Sequence, residues 1–135
     1  MATLKSFRRD ARAMQQGAWI NPGPEYDGLE IKCRYLGFDY ADAVALKTRQ
    51  AARLAGGENR LTAEQRSRIN LDAMIETALQ GVRGLQDDSG QPVPFDAFIE
   101  MLRDPGYGQL ATLAFQCCLQ VGQELEADKV DAAGN

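Results

Sequence analysis

The residues that could do chemistry are few, and their types narrow what that chemistry could be. Histidine is absent from all 135 residues. This removes Ser-His-Asp and Cys-His nucleophile pairs and the commonest zinc ligand. Three cysteines are present, Cys33, Cys117 and Cys118. An odd number with two adjacent makes no disulfide framework, because neighbouring cysteines resist the Cβ geometry of a bridge. Nor does it make a four-thiolate metal site. The three read as small half-buried hydrophobes in a reducing compartment. The 19 acidic residues leave carboxylate chemistry open. Their closest pair, Asp87 and Asp88, runs into Ser89 and Gly90 and reads as a solvated turn. No GxxxxGK[ST] or GxGxxG phosphate loop occurs. The expectation is a non-enzymatic protein with no catalytic residue, no metal and no cofactor.

A protein without chemistry of its own acts by binding, so charge and apolar pattern matter next. The formal charge of −4 argues against nucleic acid as the main partner. It is unevenly spread. Lys5, Arg8, Arg9 and Arg12 against Asp10 give residues 1–14 a local +3, and the remainder −7. Leu4, Phe7, Ala11 and Met14 recur at spacings of three and four among those charges, which predicts a basic amphipathic helix over residues 1–16, ended by Gly17. Leu4, Phe7, Arg8, Arg9, Arg12 and Met14 are therefore the candidate partner-binding residues, as an arm whose removal leaves the body folded. The competing reading is an ordinary core helix. Trp19 is the single tryptophan. Indoles are enriched at binding hot spots, but one on a strand reads as core.

The elements that would position these residues follow from periodicity and punctuation. Ala18 to Ile20 reads as a short strand running into the turn Asn21-Pro22-Gly23-Pro24. From Leu29 to Leu36 the sequence alternates with period two. Leu29, Ile31, Cys33 and Tyr35 should face helices, with Glu30, Lys32 and Arg34 in solvent. Gly37 breaks the strand. A helix capped by Asp39 is expected over residues 40–55, ended by Gly56 and Gly57. Thr62 and Gln65 form a capping box for a helix reaching about Gly81. After a turn over residues 84–94, Asp96 should cap a short helix with Phe98, Ile99, Met101 and Leu102. Asp104-Pro105-Gly106 stops it, and a last helix should run from Tyr107 to Leu125. Ile75, Leu79, Phe98, Leu102, Leu113 and Cys117 are the expected core. The fold class is α+β and helix-dominated, with a small N-terminal β-hairpin (residues 17–37) packed on a bundle of about four helices (residues 38–125). A single domain over residues 1–125 and a disordered acidic tail over residues 126–135 complete the expectation. No stretch is long and apolar enough to be a signal peptide or a membrane span, so a cytoplasmic location is expected.

The order of segments says more than any one of them. Gly17-Ala18-Trp19 comes first. The run from Leu85 to Phe95, with Asp87, Gly90, Pro92, Val93 and Pro94, comes later, and Met101-Leu102-Arg103-Asp104-Pro105-Gly106-Tyr107 leads into the last helix. This order resembles the tail assembly chaperones of long-tailed phages and prophages. They carry a GxW start, an L-x-D-x-x-G-x-P-V-P-[FY] segment and an L-L-x-D-P-x-Y approach to the last helix. The resemblance spans roughly residues 15–122. It departs at Gly81-Val82-Arg83-Gly84-Leu85, where Val82 stands near the tryptophan of a D-W-x-G-L segment. The resemblance implies a non-enzymatic protein that binds the phage tape-measure protein in the host cytoplasm, helps recruit the tail-tube protein, and is absent from the mature virion. A tape-measure protein is a long helix with apolar stripes, so helix-in-groove recognition is the expected mode. Two other classes stay open. One is a virion structural component such as a head–tail connector or tail-terminator subunit. The other is a small DNA-binding regulator using the basic N-terminal segment.

Overall fold

Alternation in the segment after the proline-glycine turn sends every second side chain inward. In the computed structural model, which describes residues 2–123, Leu29, Ile31 and Cys33 are buried and Tyr35 is half-buried. Glu30, Lys32 and Arg34 are partly covered on the opposite side, as the period requires. The strand β2 (Glu30–Cys33) pairs antiparallel with β1 (Ala18–Ile20), Ile31 lying opposite Ile20 and Cys33 opposite Ala18.

The hairpin is not alone. A third strand, β3 (Leu79–Arg83), pairs with the other edge of β2, so the sheet order is β1-β2-β3. These residues were expected at the end of a helix reaching Gly81. That helix, α3 (Ala63–Thr77), stops four residues earlier. No glycine or proline ends it. Ala78 leaves the helix, and its carbonyl accepts from Arg34 N–H at 2.9 Å. The register then shifts by one residue between Lys32 and Cys33. This bulge lets Leu79 lie opposite Cys33 on the inner face while Gln80 points to solvent.

The same register places Trp19 opposite Lys32, and Lys32 opposite Gly81. Trp19 therefore lies on the outer face and is half-buried, not in the core as expected. The Arg83 guanidinium stacks 4.0 Å from its ring centroid and Arg83 Nε donates to Glu30 at 2.8 Å. A Cβ on Gly81 would come within 3.2 Å of the indole, so glycine lets the ring lie flat over the strand.

Helices cover the inner face. Met74 of α3, Phe98 and Leu102 of α4 (Phe95–Arg103), and Ala114, Cys117 and Cys118 of α5 (Gly108–Gln120) close over Ile31, Cys33 and Leu79. Ile75 and Leu113, expected in the core, are only half-buried, because each lies at the margin of its helix's inward stripe. The chain is thus α+β and helix-dominated. No helix among the described residues is long and apolar enough to cross a membrane.

The helix ends follow local rules with a few shifts. Thr62 Oγ1 accepts from Gln65 N–H at 3.1 Å, and Gln65 Oε1 accepts from Thr62 N–H at 2.8 Å, so the capping box is complete. The helix α2 (Phe38–Ala55) starts two residues early, after Gly37. Asp39 falls inside its first turn and pairs with Arg34 at 3.3 Å instead of capping. Gly56 ends it in the left-handed conformation with φ 87°. Asp96 likewise lies in the first turn of α4, and Pro94 holds the cap position. Asp104 accepts from Gly106 N–H at 2.8 Å and builds a 3₁₀ turn over Pro105–Tyr107, so α5 begins at Gly108 and not at Tyr107. Leu125 and residues 126–135 lie outside the described residues.

The N-terminal helix is broken. A 3₁₀ turn over Leu4–Phe7 is followed by an extended step, and Asp10 then caps a new helix, α1 (Ala11–Gln16), by accepting from Arg12 and Ala13 N–H. Gly17 closes α1 at φ 97°.

Candidate docking groove

Two helices face each other across a gap. From α3, Glu64, Ser67, Arg68 and Leu71 lie three and four residues apart and share one side. From α5, Gly108, Ala111, Thr112 and Phe115 do the same. Both helices pack on α4, which holds them apart. The result is an open groove of about 700 Å³. Its width comes from small wall residues, Ser67, Gly108 and Ala111. Its apolar surface comes from Leu71, Leu102, Ala111 and Phe115. The rim is charged: Glu64 pairs with Arg68 at 3.5 Å, and Asp72 with Arg103 at 3.3 Å. An apolar trough with polar edges between two helices suits an amphipathic helix.

Sequence reasoning missed this groove. Only the core-facing side of the last helix was read, through Leu113 and Cys117. The second stripe, small residues leading to Phe115, was also legible, but that α3 faces it was not.

The candidate arm residues are divided by the structure. Arg9 is turned into the body. Its Nη1 donates to the carbonyls of Leu119 and Val121 at 2.9 and 3.0 Å, and its guanidinium lies 4.8 Å from the Tyr35 ring centroid. It thereby satisfies carbonyls at the C-terminal end of α5, where a cation is favoured. Asp10 N–H adds a bond to Gly122 O at 2.8 Å. Met14 is half-buried and lines a smaller pocket of about 260 Å³ with Tyr35, Phe38 and Tyr40. Arg12 and Arg8 are exposed. Leu4 and Phe7 are 91% and 74% exposed. The segment is therefore not one arm: residues 9–16 belong to the body, and only the turn Leu4–Phe7 with Arg8 projects from it.

The three thiols meet in the core. Cys33 from β2 and Cys118 from α5 are neighbours, Cys33 Sγ donates to Ile31 O at 3.9 Å, and Cys117 Sγ donates to Ile20 O at 3.9 Å. All three are fully buried, beyond the half-burial expected. The adjacent Cys118 thiol, together with burial, raises the Cys33 thiol well above its usual range. Burial pushes Cys117 up to about 12. A thiol that resists ionisation is a poor nucleophile. Because the folded values lie above the usual 9.0, the contribution to stability is whole below pH 9 and is lost as pH rises toward 12. We expect a thiol reagent at pH 8 to label none of the three in the folded protein and all three in denaturant. Labelling of the folded protein at the unfolded rate would show that the cluster opens. Among the described residues, no group of three cysteine or carboxylate side chains is arranged to hold a metal ion.

Asp87 and its neighbours form a turn as expected. The Asp87 carboxylate accepts from Ser89 Oγ at 2.7 Å and from the N–H groups of Ser89 and Gln91, and the Ser89 bond leads in holding its pKa below the usual value.

None of the curated proteins and none of the solved structures compared with this chain matches it. A family model does, over residues 36–135, which take in α2, α3, β3, α4 and α5 with the whole groove. The chain belongs to the YdaY prophage protein family.

Proposed function

We propose that this prophage protein is a non-enzymatic tail assembly chaperone, which binds the tape-measure protein through the α3–α5 groove and helps bring tail-tube subunits to it. The observation that carries the reading is the groove itself, two helical walls at matched spacing over an apolar floor. A tape-measure helix bears apolar stripes that need cover until the tube surrounds them. The segments shared in order with tail assembly chaperones support the reading, because one of them, Met101–Tyr107, supplies Leu102, Arg103, Asp104 and Pro105 to the groove, while the Leu85–Phe95 run packs beside α4 outside it. Val93, in the Leu85–Phe95 run, is buried beside α4 and its N–H is bonded to Leu85 O at 2.9 Å. Asp104 and Pro105 line one end of the groove. On this reading the protein works in the host cytoplasm and is left behind when the virion matures.

The test fills the groove. Ser67 and Thr112 are exposed wall residues, so Ser67→Trp adds bulk to the trough without touching the core. Co-expressed with the neighbouring tape-measure protein, the wild-type chain should keep it soluble. Ser67→Trp should weaken their complex at least about tenfold, a change of roughly 1.4 kcal/mol, with the melting temperature unchanged. Equal solubilisation by the variant would remove the groove from the mechanism. Finding the chain in purified particles would point instead to a connector or terminator subunit.

A further inference from the structure

The turn Leu4–Phe7 has no explanation in the single chain. Residues three apart eclipse in a 3₁₀ helix, so Leu4 and Phe7 stand on one side as a two-pronged apolar ridge, 91% and 74% exposed. Lys5 and Arg8 flank it and form no ion pair among the described residues. Just behind, Arg9 and Asp10 clamp the chain to the end of α5. This is a basic, apolar hook on a fixed mount. The complementary surface lies on the same molecule. The groove offers an apolar floor, and its rim holds three carboxylates, Glu64, Asp72 and Asp104. Its two guanidinium groups are already engaged by Glu64 and Asp72, which leaves the rim net negative at Asp104.

We propose that the Leu4–Phe7 hook of one copy docks in the α3–α5 groove of a second copy, with Lys5 and Arg8 against its acidic rim. Reciprocal exchange closes a two-fold pair. The inference rests on the groove also being the client site, and it gives that site a regulation. Paired copies keep the apolar troughs covered, and a tape-measure helix opens them by displacing the hooks. Charge speeds the encounter and the apolar prongs hold the pair.

Sedimentation of the full chain over a wide range of concentration tests this. The apparent mass should double as concentration rises, and added salt should weaken the pair. The double variant Leu4→Asp, Phe7→Asp changes only exposed side chains and should remain monomeric. So should Ser67→Trp. Mixed together, these two variants should form a 1:1 complex, since one supplies the hook and the other the groove. A wild-type chain that stays monomeric, association that survives either variant, or a mixture that does not combine would each overturn the proposal. The client assay separates this from the chaperone reading. Loss of client by Ser67→Trp in a chain that never pairs would leave that reading standing and remove this one. Pairing as described with a client indifferent to Ser67→Trp would do the reverse.

Discussion

Phe98→Ala is expected to lower the unfolding free energy by about 3–5 kcal/mol, the range for deleting a buried phenylalanine. Phe98 has no exposed surface and is the largest fully buried side chain among the described residues. It sits where α4 meets the sheet and α5, with Phe95 tilted against it at 6.3 Å between ring centroids. Its neighbours come from three different elements that are each fixed elsewhere, so they cannot all close on the space it leaves. Denaturant unfolding followed by circular dichroism measures the loss as a shift in midpoint at constant slope. A midpoint unchanged by the substitution would mean that α4 is not part of the cooperative core.

Gly84→Ala should cost nearly as much, for a different reason. Gly84 has φ +76°, and a Cβ there would overlap the carbonyl of Gly28. A left-handed conformation costs an L-residue about 1–2 kcal/mol, and forcing an extra methyl into a packed site adds about 1–3 kcal/mol. The obstacle is backbone, so no side chain can turn aside. Moving it would pull apart Glu30 and Arg83, the pair at the start of β2 and the end of β3. Gly90 supplies the control. Its φ is +84°, but nothing lies within 4 Å of a Cβ built on it. Gly90→Ala should show the conformational cost alone. Equal losses at the two glycines would refute the steric part of the argument.

These contrasts show what could be read in advance. Caps and breaks depend on neighbours in sequence, so the Thr62–Gln65 box and the stops at Gly17 and Gly56 were legible. The inward row Leu29, Ile31 and Cys33 was legible for the same reason, since one strand carries its own alternation. β3 was not. Its apolar residues continue the spacing of α3, and only pairing with β2, far back in the chain, makes them a strand. Trp19 followed from that error. With two strands an indole belongs in the core, but Gly81 on a third strand gives it a flat outer bed. The basic segment misled because Asp10 caps as readily as it neutralises. Of the candidate partner-binding residues, the structure leaves Leu4, Phe7, Arg8 and Arg12 exposed and turns Arg9 and Met14 toward the body. The groove needed the mutual placement of α3, α4 and α5, which no single segment encodes.

Helix α2 contributes no buried residue and packs chiefly on α3 and the turn that joins them. The chain leaves the sheet after Cys33 and returns at Leu79, and the bond from Arg34 N–H to Ala78 O ties the two ends together. Everything between them is a closed excursion from adjacent strands. Its outer limb can separate while the knot at its base and the central strand stay paired. Amide hydrogens of α2 should therefore exchange with solvent through a partial opening well below the global unfolding free energy. Those of β2 and α5 should exchange only when the whole chain unfolds. Stability in this molecule is graded outward from the thiol cluster, and residues added to or removed from the tip near Gly56 and Gly57 would be felt last.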